Sequence, residues 1–447
     1  MTPLIAARIQ MAVSLGFHII FASIGVGLPV LLLFAEWKAN KTGDATWMAL
    51  ARRWSKAFGI LFAVGAVSGT VLSFALGLFW PRFMGRWGSV IGLPFALEAF
   101  AFFIEAIFLG IYLYGWERLT PRAHWLSGWP VALSGAASAW FVVTANAWMN
   151  APQGFTLGRD GQPTAVDPWK AVFNPGTPVQ TTHMILAAYL ATGFTVAAVY
   201  AMGMLRGRND DYHRKGLAAG LVLGAVLIGP QIIVGDWAAR FVAERQPVKL
   251  AALEGQWETV KGAPLRIGGI PNQEKEETPF SLEIPKGLSF LAKGDPDAEI
   301  MGLKEVPRPD RPNTTVVHIS FQLMVSIGFG LLGLGGWAGW SRWRRKKLPS
   351  SSLFLKAVVA SGPASFVAIE TGWMVTEIGR QPWIVQGFMR VKDAVTTNPG
   401  IVWHLIGTVV IYVLLAAACT YLLLKLASDA RSRGDAPGPG TAAGRES

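Results

Sequence analysis

Long apolar stretches alternate with short polar connections along almost the whole chain. They cover roughly residues 11–35, 57–79, 91–115, 129–149, 184–204, 216–235, 317–340, 353–375 and 401–424. Each matches the length of about twenty residues that an α-helix needs to cross a hydrocarbon core of about 30 Å. The strand-length alternation that marks a transmembrane barrel is not seen. The pattern predicts an all-α polytopic membrane protein of about nine transmembrane helices. One connection is different. Residues 237–315 are polar, rich in Pro and Gly and nearly balanced in charge. They predict one long loop domain between six helices in residues 1–236 and three in 316–428. The first apolar run is too long for a signal-peptide core and lacks a clear small-residue cleavage site, so it reads as the first span. Residues 429–447, DARSRGDAPGPGTAAGRES, read as a disordered tail.

Composition supports the membrane reading: 52% of residues are hydrophobic and 15% charged, against about 25% charged in soluble domains. The net charge of +12 is not a nucleic-acid signal, because much of it sorts onto one side. Lys38, Lys41, Arg52, Arg53 and Lys56 lie between spans one and two. Arg206, Arg208, Arg214 and Lys215 lie between five and six, and SRWRRKK (341–347) follows span seven. The positive-inside rule makes this face cytoplasmic. The N-terminus, the long loop and the turn at GRQPW are then outside, with the C-terminus inside. Cys419 is the only cysteine, which excludes an intrachain disulfide, a CxxC metal pair and covalent CxxCH haem attachment. No phosphate-binding glycine loop follows a strand, so ATP-driven transport has no support.

A charge in the bilayer costs about 2.5–3.5 kcal/mol on insertion scales, so each one asks for a partner or a purpose. Span three carries Glu98 and Glu105, and span eight carries Glu370 and Glu377. Each pair is seven residues apart, which puts both members on one helix face. These stripes suit either proton carriers or ligands; the bland alternative is neutral, hydrogen-bonded packing. His18 in span one, His183 at the start of span five, Met324 early in span seven and Glu377 all fall in the outer half of the membrane on this topology. That shared depth favours haem iron, for which His and Met are familiar axial ligands. His124, His213, His318 and His404 read as structural. TEIGRQPW (376–383) sets Glu377 and Arg380 at the exit of span eight between Trp373 and Trp383. Its bland reading is an interfacial anchor.

Six segments, in order, resemble the large, haem-bearing subunit of cytochrome bd-type quinol oxidases. They are ARIQMAVSLGFHIIF (7–21), ALEAFAFFIEAIFLGIYLYGWERL (96–119), ANAWMNAPQGF (145–155), THMILAAYL (182–190), KLAALEGQWET (249–259) and GWMVTEIGRQPW (372–383). The resemblance covers nearly all of the chain before the tail. It implies that His183 and Met324 ligate a low-spin haem b. It implies that His18 and Glu377 each hold a high-spin haem, one of them haem b and the other haem d or a further haem b. Arg380 would pair with haem propionates and Trp373 would sit in the electron path. Glu98 and Glu105 would help move protons, and Lys249 and Glu254 would act on quinol.

The implied reaction oxidises quinol outside and reduces oxygen to water with cytoplasmic protons, in a bacterial cytoplasmic (inner) membrane. The implied partners are oxidase subunit II, with room for a small single-helix subunit, and membrane lipid. The loop at 237–315 is short for that family and so resembles the branch that includes cyanide-insensitive oxidases, and Gln322 stands where some relatives carry Arg. Two other readings remain at this point: a proton-coupled secondary transporter, and a related oxidase fed by a donor other than quinol.

Overall fold

The computed structural model describes residues 2–398 and 400–432. Among these, nine helices are long and apolar enough to cross a membrane. They are Pro3–Thr42, Ala45–Phe79, Pro81–Tyr114, Pro121–Asn150, Thr177–Leu205, Asp211–Arg245, Thr314–Arg345, Ser352–Ile378 and Ile401–Ser432, here spans one to nine. The sequence marks several starts. Thr2, Asp44, Thr120, Asp210, Asn313 and Ser351 each cap a helix with a side-chain oxygen, satisfying a backbone N–H that has no partner in the first turn. Span eight stops at Gly379, with Pro382 three residues beyond.

Consecutive spans pair as hairpins: one with two, three with four, five with six, seven with eight. Span one also packs on four, five and nine, and span five packs on eight. Close approach uses small residues, as expected where lipid removes the hydrophobic drive between helices. At Gly193 in span five a Cβ would lie 2.7 Å from Gly224 N and 2.8 Å from Gly220 O of span six. Larger side chains fill the remaining core, with Phe58, Leu190, Phe194, Leu221 and Phe354 buried together.

Helix ends differ from the apolar windows. Span six continues past Trp237 to Arg245, into the segment read as loop, because nothing breaks the helix before Pro247. Span nine runs to Ser432, into the segment read as tail; the rest of that tail lies outside the described residues. The polar insertion is folded. It holds the helix Pro247–Glu254, an antiparallel pair of Leu265–Gly268 with Ser281–Ile284, the helix Gly287–Lys293, and the pair Val260–Lys261 with Glu299–Ile300. Its apolar residues Leu253, Trp257 and Leu303 pack on Val317 of span seven and Val375 of span eight. Leu250, Leu288 and Ile300 pack with Ala243 of span six. The insertion therefore caps one end of spans six, seven and eight.

Candidate functional site

At the end of span eight, Asn146 of span four donates Nδ2–H to Glu377 Oε1. Arg380 Nη2 donates to Glu377 Oε2 at 2.5 Å. Arg380 is 3% exposed, yet its Nε and Nη1 have no partner in the chain. A buried guanidinium with idle donors is costly and is shaped for a second anion. Asn146 and Asn150, one turn apart on span four, extend the network. Asn150 Nδ2 donates to Asn146 O at 2.9 Å and to Asn146 Oδ1 at 3.2 Å. Lys249 Nζ then donates to Asn150 Oδ1 at 2.8 Å. The Lys249 stem runs across Gly379, where an added Cβ would lie 2.8 Å from its Cγ. Burial, then the nearby Arg380 charge, pushes the Lys249 ammonium down to about 7, while Glu377 holds it up. Residues that the sequence keeps apart, in the loop and at the end of span eight, share one hydrogen-bonded network.

Glu254 closes the loop helix and is 4% exposed, with Oε2 unpartnered. Burial raises its carboxyl to about 7, against the charge and backbone N–H of Arg266. Two span-seven residues one turn apart hold this corner. His318 sets Nδ1 2.7 Å from Leu253 O and Nε2 2.8 Å from Gly268 O. Gln322 donates to Arg266 O at 2.9 Å and accepts from Gly268 N–H at 3.1 Å. Gln322 is thus a strut for the loop, two residues before Met324. His318 is the structural residue that the sequence suggested, while Asn146, Asn150 and the strut role of Gln322 are contributions that the sequence reading left out. The i, i+4 spacing of each pair is the signal that was available.

The remaining candidates lie deeper. His18 sets Nδ1 3.0 Å from Ser68 Oγ, and that hydroxyl donates to Gly65 O at 3.0 Å. Ser68 therefore accepts from His18, which fixes the Nδ1–H tautomer and leaves the Nε2 lone pair for another partner. This is the arrangement expected of a metal-ligating histidine. His183 has the Gln231 amide 3.2 Å from Nε2. Met324 packs on Gly372 of span eight, where a Cβ would lie 2.8 Å from Sδ. Glu98 accepts from Ser138 Oγ at 3.1 Å, and Glu105 packs on Gly135, so both face span four. Glu370 lies against Gly16 of span one. Trp373 follows Gly372, half-buried in span eight. By contrast, His124 is held by Glu36 and Tyr112 O, and His213 by Asp210.

These residues fit haem. Among the described residues no three His, Cys, Asp or Glu side chains form a metal cage. An iron here would take one or two protein donors, and a porphyrin supplies the rest. His18 offers a lone pair, Met324 a thioether, and Arg380 two idle N–H groups suited to a propionate. Glu377 keeps further lone pairs on both oxygens beside its two hydrogen bonds.

The fold defines a polytopic membrane protein, and this residue set has donor chemistry compatible with haem between its spans. Residues 6–431 match the family model for cytochrome bd terminal oxidase subunit I, and the chain belongs to that family. The chain is 38% identical to a Bacillus subtilis (strain 168) protein provisionally named a cytochrome bd menaquinol oxidase subunit I, with 95% of this chain and 96% of that protein covered. It is 30% identical to the cytochrome bd-II ubiquinol oxidase subunit 1 of Escherichia coli (strain K12), over 94% of this chain and 95% of that one. The structure of the bd oxidase from Geobacillus thermodenitrificans superimposes with a TM-score of 0.89 at 38% identity, covering 96% of this chain and 98% of that one. Membership implies haem cofactors and a multisubunit membrane complex, and it decides against the transporter reading.

Proposed function

We propose that this chain is the haem-bearing subunit of a bacterial terminal oxidase, which oxidises membrane quinol on the outer side and reduces oxygen to water with cytoplasmic protons. The observation that carries the reading is the joining of Lys249 to Glu377 through Asn150 and Asn146, with Arg380 alongside. Bound haem would supply electron transfer and the reduction of oxygen. His183 and Met324 would hold a low-spin haem b. His18 and Glu377 would each hold a high-spin haem, one haem b and the other haem d or a further haem b. Arg380 would bond propionates with its idle N–H groups, and Trp373 would lie in the electron path.

Lys249 and Glu254 act on the donor. Quinol loses protons as it loses electrons, and both groups sit near the point where they exchange protons at neutral pH. Glu98 and Glu105, on one face of span three, hold protons on the way from the cytoplasmic side. A second membrane subunit, and in a larger complex a single-helix subunit, would cover outer faces of the bundle. The named substrates of relatives, menaquinol and ubiquinol, are both quinols.

The test is the reduced-minus-oxidised visible spectrum and haem-to-protein ratio of the purified complex, as wild type and as Glu377→Ala. Haem bands should appear on quinol addition. Glu377→Ala should lose one high-spin haem and keep the low-spin band. A colourless complex would overturn the oxidase reading, and a fully loaded, fully active Glu377→Ala would remove Glu377 from the ligands.

A further inference from the structure

We propose that Asn150 is the positioning residue of the donor pocket: it fixes Lys249 and links it, through Asn146, to the carboxylate of Glu377. The inference rests on the reading of Lys249 as a quinol-site residue. Asn150 is the last residue of span four and is 1% exposed. Both ends of its amide are engaged. Oδ1 accepts from Lys249 Nζ at 2.8 Å and from Gln246 Nε2 at 3.1 Å. Nδ2 donates to Asn146 O at 2.9 Å and Oδ1 at 3.2 Å. Its backbone carbonyl accepts a further bond from Gln246 Nε2 at 2.8 Å.

The chemistry at the two ends sets every orientation between them. Lys249 meets Asn150 as a donor, so Asn150 must turn its oxygen toward the amine and its NH₂ toward Asn146. Asn146 then receives on Oδ1 and has only its NH₂ left for Glu377, an acceptor. Two amide dipoles thus run head to tail from a cationic side chain to an anionic one, an order in which each bond polarises the next. Neutral amides do not titrate, so the link holds geometry rather than carrying protons. Gln246 and Lys249 are the only loop-helix groups that Asn150 bonds among the described residues. Through them it pins the start of the helix Pro247–Glu254 against span four.

Removing this amide should release Lys249 while leaving Asn146 its direct bond to Glu377. The experiment uses the whole complex as Asn150→Leu, Asn150→Gln and Lys249→Ala. It measures KM and kcat for quinol, oxygen uptake from an artificial electron donor, haem content, spectrum and thermal midpoint. Asn150→Leu should lower quinol kcat/KM about tenfold or more, while the artificial-donor rate stays within about twofold. Haem content and the low-spin band should be unchanged. Asn150→Gln keeps a donor and an acceptor and should recover much of the loss.

Wild-type quinol kinetics in Asn150→Leu, beside an impaired Lys249→Ala, would overturn the link alone. A silent Lys249→Ala would overturn the donor-site reading and the link with it. If Asn150→Leu lost haem, midpoint and both donor activities together, with no rescue by Asn150→Gln, Asn150 would be a helix-end fixture only.

Discussion

Glu254 shows how one buried carboxyl ties pH to both rate and stability. Its folded value of about 7 lies above the ordinary 4.5, chiefly through burial. Between those values the folded protein keeps a proton that the unfolded chain has released. Stability from this group is therefore present below about 4.5, falls as pH rises through the window, and stays low above 7. The shift corresponds to a cost on the order of 3 kcal/mol when the group is ionised. For quinol the sign reverses: Glu254 can accept a proton only once ionised. Quinol oxidation should thus climb as pH passes about 7. Glu254→Gln should remove that rise and oxidise quinol slowly, yet unfold at a higher temperature than wild type at about pH 8. Oxygen uptake and thermal scans across pH check both halves. A Glu254→Gln enzyme that retains the full rise would take Glu254 out of the proton transfer.

Helix contacts bear on the Met324 sulfur of span seven, proposed above as an iron ligand. Met324 Sδ occupies the space that a side chain at Gly372 would need, 2.8 Å from the position of its Cβ. The thioether is the flexible end of its side chain, so Gly372→Ala should fold and displace the sulfur rather than break the helix. The low-spin band should then change, as it should also in Met324→Leu, with quinol oxidation slowed. Gly333→Ala on span seven, with nothing within 4 Å of its Cβ, is the matched control and should leave the spectrum alone. An unchanged low-spin band in Gly372→Ala and Met324→Leu would free Met324 from the iron.

The same elements show what a sequence carries and what it hides. A span must be apolar for about twenty residues, so all nine were legible. Their ends were not, because span six continues through Trp237–Arg245, where Arg240, Glu244 and Arg245 interrupt the apolar run without breaking the helix. His18, His183, Glu98 and Glu377 stand out because polar groups in hydrocarbon are costly. Asn150 does not stand out: an amide at a helix end has an ordinary reading, and its partner Lys249 lies 99 residues away. Asn146 and Glu377 are 231 apart. Only packing of span four against the end of span eight and the loop helix brings these groups together.

Across the whole molecule, the chemistry depends on which face looks outward. The folded insertion and the Glu377 network share one end of the bundle, through Val317 and Val375 on one side and Lys249 against Gly379 on the other. The opposite end gathers the basic connections. Arg52 pairs with Glu117 at 2.8 Å, Lys215 pairs with Asp44 and Asp211, and Arg53 Nη2 donates to Leu426 O at 2.6 Å. By the positive-inside rule, basic residues concentrated beside short loops would hold that end on the cytoplasmic side. Quinol protons would then leave outside, and protons for water would enter past Glu105 and Glu98. Cysteine labelling tests this directly, because the native Cys419 is buried in span nine. Lys293→Cys, exposed on the insertion, should react with a membrane-impermeant maleimide in intact spheroplasts. Lys347→Cys, exposed between spans seven and eight, should react only once the membrane is opened. The reverse pattern would invert the bundle and place the Lys249 and Glu254 pocket on the proton-uptake side, where quinol oxidation could no longer release its protons outward.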